Sequence, residues 1–458
     1  MSDSPPQPSA EDRSPLRLFF ATRRGKIIGA ALAGSAAVLL GVAVAIGLGG
    51  NGDQGSAAAS ALPSASASAP ATISPTPAPL STPIETVSSA PPPAPAPTSV
   101  AGGWHRAPDQ PAFDGSQLRL VIWTSSRFIA AGHGPDGEAF FDSPDGITWH
   151  RQPSVDSAAF PRGLAAGARG VVAVGDAGTT AASWFSADGL SWVASPDGQA
   201  LHAGSGNSIS MSSVTATPDG WLAVGTESGP CTYFCGASNA VRAVIWTSTD
   251  GLVWTRQPDS AVLARAQMNG VARGGSGYIA VGSALDDATQ LRPVHAVVWT
   301  SIDGRTWSRV PDAPLFHPPA GTDQDFGAAM VSVATSRDRI VAVGSVGTQA
   351  EVGSALAWWS ADGVTWSLSD GDHFLYGQMF GAAVGGSGFL AVGPSGERSC
   401  LGGIWSSSTN GESWTCVASD PAFLGFLAYA AASSFDREVV VGFGNPQDSL
   451  WASVWLRD

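Results

Sequence analysis

The chain has a single lysine, Lys26, among 458 residues, and its formal net charge is −14. The first hundred residues carry five side chains of each sign, so the whole acidic excess falls on residues 101–458. A body charged in that way repels polyanions, which excludes nucleic acid as a general partner. Histidine is also sparse. His105, His133, His150, His202, His295, His317 and His373 include no pair at metal-ligand spacing, and no Cys-x-x-Cys accompanies them, so neither a metal nor another cofactor is expected. Cysteine is limited to Cys231, Cys235, Cys400 and Cys416. Two local disulfides are predicted, Cys231 with Cys235 and Cys400 with Cys416. The second pair lies at equal offsets from Ser408, as cross-strand neighbours would, and such bridges suit an exported protein.

Only one long uncharged run is also strongly apolar. Ile27 to Gly49 spans 23 residues without an ionisable side chain, follows a basic cluster of Arg17, Arg23, Arg24 and Lys26, and is long enough to cross a bilayer as a helix. The expected topology is a cytoplasmic tail over 1–26, a transmembrane signal anchor over 27–49, and the remainder outside the cell or in the periplasm. The alternative is a cleaved signal peptide with a small-residue site at Ala57-Ala-Ala59. Residues 50–100 are Pro, Ala, Ser and Thr with few apolar side chains, and they read as a disordered spacer.

From residue 101 the sequence repeats. Ser-x-Asp-Gly-x-x-Trp starts at Ser143, Ser186, Ser248, Ser301 and Ser360, and at Ser408 with Asn for Asp. The turn residues are Asp145, Asp188, Asp250, Asp303, Asp362 and Asn410. Asp-Gly between Trp-bearing apolar runs predicts tight turns, with the carboxylate and the serine hydroxyl bonding turn backbone. A second marker, an apolar run ending in Ala-Val-Gly or a variant, occurs seven times, from Phe128–Gly132 to Val439–Gly442. Seven such strands against six boxes are reconciled if Trp104-His-Arg-Ala-Pro108, which matches the post-box strands at Trp149 and Trp254, completes the last blade. The prediction is an all-β, seven-bladed propeller over 101–458, with four-stranded blades closed by the N-terminal strand, which leaves no open edge between first and last. The periodic tryptophans then serve as packing between blades. Gly274–Gly277 and Gly385–Gly388 are turns, since no helix follows either to make a nucleotide loop.

The boxes resemble the Asp-box repeat of bacterial neuraminidases, whose usual form is Ser-x-Asp-x-Gly-x-x-Trp, one residue longer than the pattern here. The resemblance covers residues 104–458. It implies a propeller in which each box joins the third and fourth strands on the face away from any active site, so the site face is the opposite one. Boxes of this kind occur on sialidases and on non-enzymatic binding propellers alike, so the fold does not assign a function.

A sialidase-like exo-glycosidase needs three arginines for the substrate carboxylate, a Tyr–Glu nucleophile pair, an acidic acid/base, and a Phe/Tyr-Arg-Ile-Pro motif before the first box. Here the nearest match before Ser143 is Leu118-Arg-Leu-Val121, without the proline, while Phe160-Pro-Arg162 follows the first box. Tyr376 and Tyr429 lie near the starts of first strands with no assignable Glu. No catalytic residue is therefore named. The favoured expectation is a membrane-anchored binding or scaffolding module for a cell-envelope protein or glycan. Its topological candidates lie at first-strand openings (Arg162, Gln267, Asn269, Asp323, Asp325, Gln378, Tyr429) and in the long loops Thr226–Ala240 and Ser283–His295 (Asp286, Arg292), with a further long connection over Asp312–Phe326.

Overall fold

The computed structural model describes residues 103–155, 159–229, 241–285, 294–318, 327–347, 353–371, 374–386, 388–444 and 452–458. These form seven sheets, the blades of a propeller. Counting from Gln117, the innermost strands of blades one to seven are Gln117–Trp123, Phe160–Gly167, Ser208–Thr217, Ala266–Gly274, Gly327–Thr335, Gly381–Gly385 and Leu427–Ser433. Each contacts the first strand of the next blade, and the seventh contacts the first, so together they line the ring axis. Trp104–Arg106 pairs antiparallel with Ala452–Arg457, with Trp104 opposite Arg457, and completes blade seven as the sequence predicts. Blade six departs from the four-stranded plan. Asp370–Gly371, in the connection from blade five, pairs in parallel with Ser413–Cys416 as a fifth strand.

Alternation along each strand buries one row against each neighbouring blade. Trp184, Trp246, Trp299, Trp358, Trp405 and Trp455 sit on third strands and are essentially inaccessible, and the box tryptophans from Trp149 to Trp414 are buried beside them. Three of the third-strand indoles donate to carbonyls of short 3-10 turns that link the blades: Trp246 to Ala200 at 2.7 Å, Trp299 to Val262 at 2.8 Å and Trp358 to Leu315 at 2.8 Å. Each turn also inserts an apolar side chain, such as Leu201, Leu263 or Phe316, into the gap between blades. Four of these turns share the pattern Pro-Asp-x-x-x-Leu/Phe, starting at Pro108, Pro196, Pro258 and Pro311, a signature the sequence reading missed.

The boxes act as the sequence predicts. Asp145 Oδ1 accepts from the amides of Ile147 and Thr148, both at 2.8 Å, while Ser143 Oγ donates to Asp145 and accepts from the Gly146 amide. The same pattern recurs at Asp188, Asp250, Asp303 and Asp362. The turn glycines adopt φ between 70° and 79°, a region costly for any residue with a Cβ. Amide donors favour the ionised carboxylate; those of Thr306 and Arg305 hold Asp303 down to about 2.

The sixth box corrects the sequence reading. Its anchoring serine is Ser407, not Ser408: Ser407 Oγ accepts from Gly411 N at 2.9 Å, and Thr409 Oγ1, not Asn410, accepts from Ser413 N at 2.8 Å. Asn410 supplies only a left-handed backbone, at φ 55°. Read from Ser407, this copy has the longer spacing Ser-x-Thr-x-Gly-x-x-Trp. The Cys400–Cys416 disulfide is present as predicted. Cys416 faces Trp405 across the ladder, however, so the bridge ties a preceding loop to the fourth strand and does not join cross-strand partners. Cys231 and Cys235 lie outside the described residues.

Candidate binding site at the channel mouth

Boxes and first-to-second-strand turns share one end of every blade, so the opposite end, where first strands begin, is a separate face. At that end six blades place a β-bulge in the first strand, with register shifts between Leu118 and Leu120, Pro161 and Gly163, Met211 and Ser213, Met268 and Gly270, Met330 and Ser332, and Ala428 and Ala430. In blade six the ladder is entered from Phe380, whose amide donates to Val392 O. The bulge explains the Ala-Val-Gly marker. At Gly132, Gly175, Gly225, Gly282, Gly344, Gly393 and Gly442 a Cβ would lie only 1.9–2.0 Å from a first-strand carbonyl oxygen, so the second strand needs glycine opposite each bulge.

The six bulges, and the entry to blade six, set the residues Arg119, Arg162, Ser212, Asn269, Val331, Tyr429 and Phe380 around the mouth of the ring. Over blades six, seven, one and two they make a continuous row. The rings of Phe380 and Tyr429 are 5.2 Å apart, and Tyr429 stacks on Phe443 at 5.0 Å. Arg119 lies over both, 5.2 Å from the Tyr429 centroid and 5.8 Å from that of Phe443. Beyond Arg119, His133 stacks on Phe160 at 4.8 Å, and Arg162 pairs with Asp176. Burial, then the Arg119 charge, pushes the His133 imidazole pKa down, which keeps it neutral beside the guanidinium.

Arg119 differs from the other arginines of this face. Arg162 has Asp176, and Arg256 has Glu227 and Asp259, whereas Arg119 has no ion pair among the described residues, and its buried Nε has no hydrogen-bond partner. A cation stacked on aromatic faces with unmade bonds is poised for an anionic group.

The residues chosen by topology fare differently. Arg162, Asn269 and Tyr429 are bulge residues, and Gln267 lies just before a bulge, but none is an open ligand. Gln267, Asn269 and Tyr429 are buried, and Asn269 Nδ2 donates to Met330 O at 2.9 Å. The backbone N–H of Gln378 donates to Pro394 O at 3.0 Å, and the residue is half-buried. Asp286, Arg292, Asp323 and Asp325 lie outside the described residues, as do residues 27–49; no helix among the described residues is long and apolar enough to cross a membrane. Arg119 was missed because it was weighed only against a sialidase motif. The signal that could have found it is the glycine marker, which fixes the bulge two residues from Gln117.

Neither a family model nor a curated protein matches the sequence. Solved structures share the fold. YCF48 bound to D1 peptide is 15% identical with a TM-score of 0.46, over 79% of this chain and 98% of that one. The WD40 β-propeller domain of Doa1 is 10% identical with a TM-score of 0.45, over 77% and 97%. A Trypanosoma rangeli sialidase in complex with the inhibitor DANA is 12% identical with a TM-score of 0.38, over 75% of this chain and 55% of that one. At these values the likeness is one of fold alone.

Proposed function

We propose that the chain is a binding or scaffolding module of the cell envelope, anchored by residues 27–49, spaced from the membrane by residues 50–100, and engaging an envelope protein or glycan at the mouth opposite the boxes. The observation that carries this reading is Arg119, an unpaired guanidinium held over Tyr429 and Phe443. An anionic group on the ligand would complete its hydrogen bonds, and the exposed Phe160 ring on the neighbouring blade would take apolar surface. Repulsion by the acidic body limits the ligand to one carrying an isolated negative group, not a polyanion.

The glycosidase reading has one observation in its favour, the adjacency of Arg119 and Tyr429 at this mouth. Against it, Arg162 is committed to Asp176 and so is not available as a second carboxylate clamp. The test is to incubate the full chain with fluorogenic sialosides and other glycosides, and to probe arrays of acidic and neutral glycans and peptides. No turnover is expected, and retained probes should be anionic. Arg119→Gln should weaken them about tenfold or more, the size of a lost charge-assisted bond. Turnover abolished by the same substitution would replace the binding reading with the enzymatic one, and retention indifferent to Arg119 would refute both.

A further inference from the structure

The connection into blade six presents two large apolar side chains to solvent on the mouth side. Leu375 and Tyr376 are each 63% exposed, and Tyr376 has a φ of 54°. A left-handed backbone is unfavourable for a bulky aromatic residue, and strain of this kind persists only where surrounding bonds enforce it. Those bonds are present. Phe374 O accepts from Ala355 N at 2.7 Å, Tyr376 O accepts from Gly396 N at 2.8 Å, and Gln378 N donates to Pro394 O at 3.0 Å. Gly377 and Ser395 form an isolated bridge, and the Cys400–Cys416 disulfide secures the far end of the partnering loop. That loop also carries Arg398, which is exposed and has no ion pair among the described residues.

We infer that Leu375, Tyr376 and Arg398 form a preorganised knuckle that docks into an apolar, acid-rimmed pocket on a second, different protein. Three observations select that partner. Tyrosine and arginine beside an aliphatic side chain are the residue types that anchor protein interfaces, and rigidity lowers the entropy cost of binding. The backbone carbonyls of Phe374 and Tyr376 and the backbone amide of Gln378 are already bonded, so the surface on offer is one of side chains. Arg398 is a free cation on an acidic chain, which makes a carboxylate at the pocket rim its complement. The inference does not rest on the anion reading.

The test uses the full chain in its own cells, with a photoreactive benzophenone amino acid incorporated at position 375 and, as a control, at position 253 on the box face. One discrete protein should cross-link from 375 and not from 253. With that protein purified, Tyr376→Gly should weaken binding by about thirtyfold, as a hot-spot truncation does. Its melting temperature should not fall, since glycine accepts the left-handed backbone. Arg398→Glu should weaken binding in a salt-dependent way. The inference is overturned by an absence of cross-linking above the control, by a cross-link to a glycan or to a second copy of this chain, by unchanged affinity in both Tyr376→Gly and Arg398→Glu, or by a lowered melting temperature in Tyr376→Gly.

Discussion

The two halves of the mouth share a backbone and differ in what it carries. Around blades three, four and five the bulges hold Ser212, Asn269 and Val331, and the polar group among them that bonds, Asn269, is spent on the neighbouring blade at Met330 O. Around blades six, seven, one and two the equivalent positions hold Phe380, Tyr429, Arg119 and Arg162, and one of these groups is left unpaired. The repeat therefore specifies the scaffold, and departures from the repeat specify chemistry.

The largest expected effect concerns the ring that both halves depend on. A chain lacking residues 101–108 loses the strand paired with Ala452–Arg457 and the fully buried Trp104, and should be about 3–5 kcal/mol less stable by denaturant unfolding. Equal midpoints with and without those residues would show that the ring closes some other way. Next come the glycines opposite the bulges. Gly132→Ala in one half and Gly282→Ala in the other should each cost about 2–3 kcal/mol, because each added methyl meets a backbone carbonyl. A cost confined to one half would mean that the bulges are not equivalent.

The halves should separate at the bulge side chains themselves. Asn269→Ala leaves the Met330 carbonyl without its side-chain donor and should lower stability by about 1–2 kcal/mol with no change in ligand retention. Arg119→Gln should do the reverse, costing only about 0.5–1 kcal/mol in lost cation–π contact while ligand retention falls. Thermal unfolding of the two variants beside array binding decides it.

The smallest effect belongs to the box face. Asp303→Asn should be less stable than the parent by about 1 kcal/mol near neutral pH. The carboxyl pKa falls from 3.8 to about 2 on folding. Its contribution is thus fully present above the unfolded value, declines as pH drops below about 4, and is gone once pH passes below about 2. Parent and variant should converge over that window. The sixth turn relies on the uncharged hydroxyls of Ser407 and Thr409, so Thr409→Val should show a pH-independent difference.

Much of this was legible in residues. Asp-Gly before Trp marked the third-to-fourth-strand turns, and Trp104 could be matched to post-box strands because both are buried at the same place in a blade. The bulges were not legible directly, since one extra residue in a strand has no preferred side chain; the trace they leave is the glycine on the partner strand. The shift from Ser408 to Ser407 was hidden by three consecutive serines, Ser406 to Ser408, any of which fits a pattern. Candidate residues chosen by topology fall on one face, but topology cannot tell a spent side chain such as Asn269 from one with an unmade bond such as Arg119. The knuckle at Tyr376 was invisible for the same reason: its exposure and its φ are properties of the fold, not of the sequence around it.

The strand that closes the ring is also the one through which the N-terminal segment joins the blades. Any load carried along that segment enters at Trp104 and falls first on three residue pairs, Trp104 with Arg457, His105 with Leu456 and Arg106 with Trp455. At the loaded end Trp104 is packed into the core beside Val440 and Trp455, with the Arg457 guanidinium 4.9 Å from its ring centre. Between the innermost strands of blade seven the ladder is twice as long, from Leu427–Phe443 to Ser433–Glu438. A pulling force would therefore peel the clasp before it reached any blade interior, opening the ring at a defined seam and leaving the other six sheets folded. Single-molecule extension from the N-terminus should show that event as a short first step ahead of blade-by-blade rupture.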